Sequence, residues 1–529
     1  MLVTILVAAF VVRMVGIRHG LPFAYNPDEE LHFVPHAANA ADGDLNPGYY
    51  ENPSALTYLL AAVFKVVFLG SDVSTRLADD PATVYTVARV VVAVLGTVLV
   101  WLVHWTATRF FDRTTALVAA AVTAFAFLPV FYSHQALNDV VTLLPVTVAL
   151  AGSLLAYERG GWRMFVLAGG AVGVAVGTKY LAAPMACVVA LAAVLRVVER
   201  KERVAPVIGL LCASGVACLV GLFALNPYLL LDFGVFVDQF GGQSSQVATA
   251  KLGQQGNAWT YYPGTLLWGF GLLPLAFALG GFAVLLRRNR AHALMLVGFP
   301  VLLYLYLATQ DRFFARWVLP AYPALAVLAG LGVTIAGERI RDRLSAGRGR
   351  VARLGVVALP ALAVIVLAQP LADAVRSDLV LSRTDTRTAA RGWILDEIPR
   401  ADRVVLEPSF PASYLDESTL ELYPVERPYQ AYEARLSPDL LDGYRANGFC
   451  WVVVTSHQKD RGLSADLPGA RSYYRRLDDE SSLEAVFSPY RAGAEAPAFS
   501  FDFSFDWYPP AYARPGPLVE VRHLADCRR

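Results

Sequence analysis

Charge is what this sequence has least of. Asp, Glu, Lys and Arg make up 17% of its 529 residues, against about a quarter in an ordinary soluble domain. A chain this poor in charge cannot dress a water-facing surface of its size. With 56% hydrophobic residues and a mean hydropathy of +0.46 it reads as an integral membrane protein. Cysteine is scarce as well. Five are too few for a disulfide scaffold, and their spacing lacks the paired form of a zinc site. Cys187, Cys212 and Cys218 lie inside apolar runs, where small buried packing residues are the expected reading. Cys450 and Cys527 fall in a polar tail and pair if that tail meets an oxidising compartment. Internal repeats, low-complexity tracts and the inverted symmetry of many transporters are missing too.

Long apolar runs are what remains. A bilayer core takes about 20 apolar residues in a helix, and runs of that kind fall near 2–18, 83–108, 115–132, 138–157, 162–178, 180–197, 204–225, 263–286, 291–309, 316–336 and 354–370. The predicted count is thus about eleven transmembrane helices. Arg13 interrupts the first run and no small-residue cleavage pattern follows it, so it reads as a retained helix rather than a signal peptide. Orientation follows from basic residues in every second loop: Arg109 and Arg113; Arg159 and Arg163; Arg196, Arg200, Lys201 and Arg203; Arg287, Arg288 and Arg290; and Arg339, Arg341, Arg343, Arg348, Arg350 and Arg353. Taking those loops as cytoplasmic puts the N-terminus inside and everything after residue 371 outside. The predicted organisation is a polytopic transmembrane unit over 1–375 and a soluble extracytoplasmic α/β domain over 376–529. Strands are expected at Arg403–Glu407, Cys450–Ser456 and Leu518–His523, with a helix at Thr388–Glu397.

The first outer loop, 19–82, opens with Asn26-Pro27-Asp28-Glu29-Glu30-Leu31-His32. Three consecutive acids at a membrane surface need a reason. One is a solvated helix start, with Pro27 at the first position and acids on the helix dipole. The other is a carboxylate poised to take a proton from an acceptor hydroxyl. Tyr49-Tyr50-Glu51-Asn52-Pro53 follows, and then an apolar run from Ala55 to Leu69 that reads as a helix lying along the interface. Asp139, at the mouth of a later span, either caps that helix or faces Asp28 across an outer cavity. Lys179, Lys251, Arg312 and Arg316 stand at outer helix ends, against the orientation bias. They bind a phosphate leaving group or snorkel to the interface. Asp28, His32 and His36 share one helix face if Pro35 does not kink it. That spacing, or bare carboxylates such as Asp28 and Glu29, leaves room for a magnesium or manganese ion on a donor phosphate.

An acidic pair just past the first span, a long first outer loop with surface helices, about eleven spans and a soluble outer tail together resemble the GT-C glycosyltransferases. The likeness is greatest to the group holding the protein O-mannosyltransferases (glycosyltransferase family 39) and the lipid A aminoarabinose transferase. The tail segment Asp385-Thr386-Arg387, with Ala390, Trp393-Ile394, Ile398-Pro399 and Arg514-Pro515-Gly516-Pro517, is similar to the outer domains of bacterial relatives. The resemblance implies that Asp28 is the essential first-loop acid with Glu29 beside it, that Asp139 is the later acid, and that Glu51-Asn52-Pro53 matches the second loop motif. Two positions depart from the aminoarabinose transferases, which carry a lysine and an arginine where Asn52 and Leu31 stand here. Donor phosphate recognition must therefore differ.

The expected function is a membrane glycosyltransferase that moves a monosaccharide from a polyprenyl-phosphate donor to an extracytoplasmic hydroxyl with inversion. Asp28 acts as base, Glu29 and Asp139 stand beside it, and Glu51, Asn52, Lys179, Arg312 and Arg316 hold the donor. The acceptor is a protein, lipid or glycan; no nucleic acid partner is expected. A polytopic lipid or sugar transporter is the competing reading. It calls for charged or broken helices at the membrane midplane, whereas these acids cluster at helix ends. A sensor or assembly factor anchored by its spans needs far fewer of them.

Overall fold

A computed structural model of the chain describes residues 1–529 except 71, 347–349, 401, 412, 416–419, 423–431, 505–506 and 528–529. Arg348 of the basic stretch lies outside the described residues. The apolar runs are helical, some of them divided between two helices. α1 is Leu2–Met14 and gives way to turns before the first loop. That loop folds into α2 (Val34–Asp42), α3 (Ala55–Val67) and α4 (Val73–Asp79). At 13 residues α3 is too short to cross a bilayer. It buries Leu56, Leu60 and Phe64 against α2 and leaves Leu59, Val66 and Val67 exposed.

The bundle continues with α5 (Pro81–Phe110), α6 (Arg113–Phe125), α7 (Phe127–Tyr132), α8 (Asn138–Arg159), α9 (Trp162–Thr178), α10 (Met185–Glu199) and α11 (Val204–Leu225). Asp80 caps α5 through Thr83 N–H, with Pro81 at its first turn, and Asp112 caps α6 through Thr114 and Thr115 N–H. The run expected as one span at 115–132 is two helices, broken at Ala126, which is extended at ψ 126°. Two short helices, α12 (Tyr228–Leu231) and α13 (Phe233–Val247), lead to α14 (Ala258–Leu266), α15 (Leu272–Arg288), α16 (Arg290–Ala308), α17 (Tyr322–Ser345) and α18 (Arg350–Leu381). Among the described residues, eight helical segments are long and apolar enough to cross a membrane; α1, α6 and α9, also expected to span, are apolar but shorter.

α17 is the hub. Its apolar stretch is entirely buried, packed on α6, α15 and α18, whereas α11 is largely exposed and lies at the rim. Glycines let the closest helices touch. A Cβ at Gly173 of α9 would run into the Cys218 carbonyl of α11, and one at Gly332 of α17 into the Phe277 carbonyl of α15.

Beyond α18 come α19 (Thr386–Glu397), β1 (Arg403–Leu406), β2 (Glu421–Leu422), α20 (Tyr432–Arg435), α21 (Asp439–Ala446), β3 (Phe449–Thr455), α22 (Ser456–Ser464), α23 (Pro468–Asp479), β4 (Ser481–Phe487) and β5 (Val519–Leu524). The strands form one five-stranded sheet in the order β2-β1-β3-β5-β4. β1 pairs in parallel with β2 and β3, while β5 runs antiparallel to β3 and β4. Buried on both faces, β3 reads as the continuous apolar run Phe449–Thr455. Cys450 at its start is disulfide-bonded to Cys527 in the tail. Phe23 of the first loop inserts into this unit beside Tyr414, and Tyr25 donates to or accepts from Thr388 Oγ1 at 2.9 Å. The first loop is thereby stitched to the sheet unit as well as to the bundle.

Candidate active site

Asn26 organises the turn that carries the first acids. Its side-chain oxygen accepts the Asp28 N–H at 3.0 Å, and its amide donates to Gln135 Oε1 at 2.6 Å. A π-helical turn, Glu29–Phe33, follows and continues directly into α2. Pro35 falls in the first turn of α2, where its missing N–H costs no helical hydrogen bond. His32 and His36 do share a face, but both lie against Tyr49: the His32 ring is parallel to it at 4.1 Å.

Asp28 meets Arg316. The guanidinium lies 2.7 Å from Asp28 Oδ2, and its other nitrogen lies 3.9 Å from Asp139 Oδ2. Asp139 also receives the Lys179 ammonium. Acid and base therefore alternate in the line Asp28, Arg316, Asp139, Lys179. Asp139 stands inside the first turn of α8, whose N-cap position is Leu137, so it does not cap that helix. Lys179 closes the end of α9, and its stem is buried rather than reaching to the surface. Burial acts to raise the Asp28 carboxyl, but Arg316, His32 and Lys251 together hold it below the usual carboxylate range. Glu51 goes the other way, raised by burial and by the nearby Asp28 charge.

Glu29, although next to Asp28 in sequence, serves elsewhere. Its two oxygens take Arg89 Nε and Nη2 at 2.7 Å each, one of them also accepts Ala136 N–H at 2.9 Å, and both side chains are 1% exposed. Arg89 spends its remaining nitrogen on the carbonyls of Ile17 and His19. Glu29 is thus a clamp that fixes the turn carrying Asp28 and takes no part in the Asp28 pair. A protein-built metal site from Asp28, Glu29 and His32 does not fit this geometry. Among the described residues no three His, Cys, Asp or Glu side chains gather to hold an ion.

Beside the charged line opens a cavity of about 340 Å³. Its lining is polar at Glu51, Asn52, Lys179, Gln243 and Ser244 and apolar at residues such as Leu181, Pro184, Phe240, Val247 and Trp317. Asn52 donates to Tyr49 Oη at 2.8 Å and accepts from Asn138 at 3.4 Å. The Glu51 loop is held from behind by Asn226, which accepts Ser54 N–H, and by Gln239, which accepts Tyr50 N–H, each at 2.6 Å. Arg312 bonds Thr249 and Gln246 and sits within the field of Glu51. Lys251 lies over the Phe314 and Phe501 rings. Burial, with Arg461 and Arg312 nearby, pushes its amine down to about 7. The expected donor-site residues are therefore gathered at one end of the bundle. Arg89, Gln135, Asn26 and Arg461 were not foreseen; the signal for Arg89 was a lone charge inside an apolar run.

A family profile described as dolichyl-phosphate-mannose-protein mannosyltransferase matches residues 54–223. No curated protein matches in sequence. Among solved structures, ArnT from Cupriavidus metallidurans bound to undecaprenyl phosphate superposes with a TM-score of 0.54 at 16% identity, over 98% of this chain and 97% of that one. The Archaeoglobus fulgidus oligosaccharyltransferase AglB, in complex with an inhibitory peptide and a dolichol-phosphate, gives 0.52 at 14% identity over 92% of this chain and 73% of that one. The same archaeal enzyme in complex with Zn and sulfate gives 0.52 at 13% identity, covering 92% and 72%. This chain is a multi-pass membrane protein with the GT-C fold.

Proposed function

We propose that the chain is a membrane glycosyltransferase that takes its sugar from a polyprenyl-phosphate donor and passes it, with inversion, to a hydroxyl on the extracytoplasmic side. One observation carries this reading: a carboxylate, Asp28, paired with Arg316 and linked through Asp139 to Lys179, which lines a largely apolar cavity. The apolar walls suit a polyprenyl chain, and Lys179, Arg312 and Arg316 suit its phosphate. The GT-C fold, and the lipid phosphates bound by the two neighbours, support the donor class.

A lipid phosphate is already a good leaving group; the weak partner is the acceptor hydroxyl. Asp28 takes the hydroxyl proton as the acceptor oxygen attacks the anomeric carbon from the face opposite the phosphate. The bond from that carbon to the phosphate oxygen breaks, its electron pair stays on the polyprenyl phosphate, and Arg316 and Lys179 stabilise the departing charge. The proton on Asp28 then passes to solvent. Asp139 sets the position of both cations. No step is routed through a metal ion.

The N-terminus is read as cytoplasmic, and residues 376–529 as extracytoplasmic. The Cys450–Cys527 bond supports an oxidising side for that unit.

The test uses purified protein in proteoliposomes with radiolabelled polyprenyl-phosphate mannose or glucose. Asp28→Asn is expected to cut release of label by about 10²–10⁴-fold, the usual worth of a general base, with abundance and melting temperature unchanged. Equal release by Asp28→Asn removes the base assignment. No release by folded wild type from any such donor favours transport.

A further inference from the structure

The turn that follows α1 lies directly on the end of α18. Gly16 sits at φ +80°, and a Cβ added there would stand 2.9 Å from Leu381 Cβ, so glycine is what lets the two stretches come this close. Met14 is the last residue of α1 and Leu381 the last of α18, and both line one cavity of about 530 Å³. That volume is in the range of ligand sites. The cavity shares no residue with the one lined by Lys179.

Its lining divides by chemistry. Met14, Ile17, Leu21 and Leu381 make the apolar part. Arg18 from the turn and Arg383 from beyond α18 are its arginines, one from each stretch. The acid in the lining, Asp385, gives both oxygens to Arg387, which is not part of it. Among the described residues, neither the Arg18 nor the Arg383 guanidinium has a hydrogen-bond or ion-pair partner. Arg18 lies in the field of Asp80, but that carboxylate is exposed and caps α5. The space thus carries two positive charges that the protein leaves unmatched, and charge complementarity calls for an anion, with phosphate the one a guanidinium fork fits best.

The surroundings say what carries the phosphate. α1 and α18 touch, and both present apolar side chains outward, Val7 and Val11 on one and Val364, Ile365 and Leu379 on the other. In a bilayer such faces meet lipid chains. A molecule with a phosphate at one end and acyl chains at the other satisfies the arginines, the apolar lining and the helix faces together. Free phosphate satisfies the arginines alone. We propose that this cavity binds the phosphate of an anionic phospholipid through Arg18 and Arg383, and that the bound lipid fastens the turn after α1 to the end of α18.

Native mass spectrometry of the full-length protein in detergent tests this, with dioleoyl phosphatidylglycerol, dioleoyl phosphatidylcholine and inorganic phosphate as probes. Phosphatidylglycerol is expected to stay bound to wild type and to raise its melting temperature, whereas phosphatidylcholine does neither. Arg18→Gln combined with Arg383→Gln is expected to weaken phosphatidylglycerol binding about tenfold or more, the scale of one hydrogen bond to a charged group. Both side chains are exposed, so the lipid-free melting temperature is expected to hold. Arg383→Gln alone gives a second reading if the pair proves unstable. Arg287→Gln combined with Arg288→Gln, two exposed arginines in the last turn of α15, is expected to leave binding unchanged. Equal binding of the two lipids, undiminished phosphatidylglycerol binding in the Arg18 and Arg383 variants, or an equal loss in the Arg287 and Arg288 variant overturns the proposal. Stabilisation of wild type by inorganic phosphate, with no phosphatidylglycerol bound, makes the occupant a free anion and overturns the lipid assignment.

Discussion

Arg316 touches two carboxylates, and that sharing sets the acid behaviour of the site. Asp28 must be ionised to accept a proton, and Arg316 helps hold its carboxyl low. Activity is therefore expected to persist as pH falls through the usual carboxylate range and to fail only below it. Arg316→Gln removes the strongest influence lowering that carboxyl, so the acid limb of the pH–rate profile moves to higher pH, along with a fall in kcat from the loss of phosphate stabilisation. An unmoved limb places the observed ionisation on another group. The members of this site were legible in the sequence because charges at the ends of apolar runs stand out. Their partners were not. Glu29 beside Asp28 looked like a second catalytic acid, but consecutive residues on a helical turn point about 100° apart, and Glu29 faces Arg89 instead. Nothing local in the sequence says which distant charge a carboxylate will meet.

The Glu29–Arg89 pair joins the first loop to α5, and the hydrogen bond to Ala136 ties in the turn before α8. Breaking a buried pair by removing one charge costs about 3–5 kcal/mol. Glu29→Gln is accordingly expected to lower the thermal midpoint in detergent, whereas Asp28→Asn is not; equal midpoints for the two would remove the clamp. At this scale the helices were the readable part, because a bilayer-crossing helix must be apolar for about 20 residues. Breaks within the runs were less visible. Nothing polar marks Ala126, where α6 gives way to α7, and the first run stops at Met14. In the sheet, β1, β3 and β5 were foreseen because burial makes them rich in valine. β4 escaped notice: it is an edge strand, mostly exposed, and Ser481–Phe487 carries no clean alternation.

Across the whole molecule, two bodies of different composition are tied together by inserted side chains, Phe23 and Tyr25 against the sheet unit and Phe501 and Asp502 against the bundle. The Cys450–Cys527 bond closes a separation of 77 residues within the sheet unit. Chain-entropy reasoning gives such a closure about 4.5 kcal/mol. Cys450→Ser is expected to shift unfolding of the sheet unit to lower denaturant, followed by Trp451 and Trp393 fluorescence; an unchanged midpoint would show that the bond adds nothing to stability. The placement of Arg316 reaches further, into the timing of the cycle. On the proposed mechanism the base is occupied while that arginine rests on Asp28, and an arriving donor phosphate would draw the arginine away. Substrates must then enter in a compulsory sequence, lipid donor before acceptor. Released polyprenyl phosphate would compete with the donor alone and act as a noncompetitive inhibitor toward the acceptor, and random-order kinetics would show that Asp28 is free without donor.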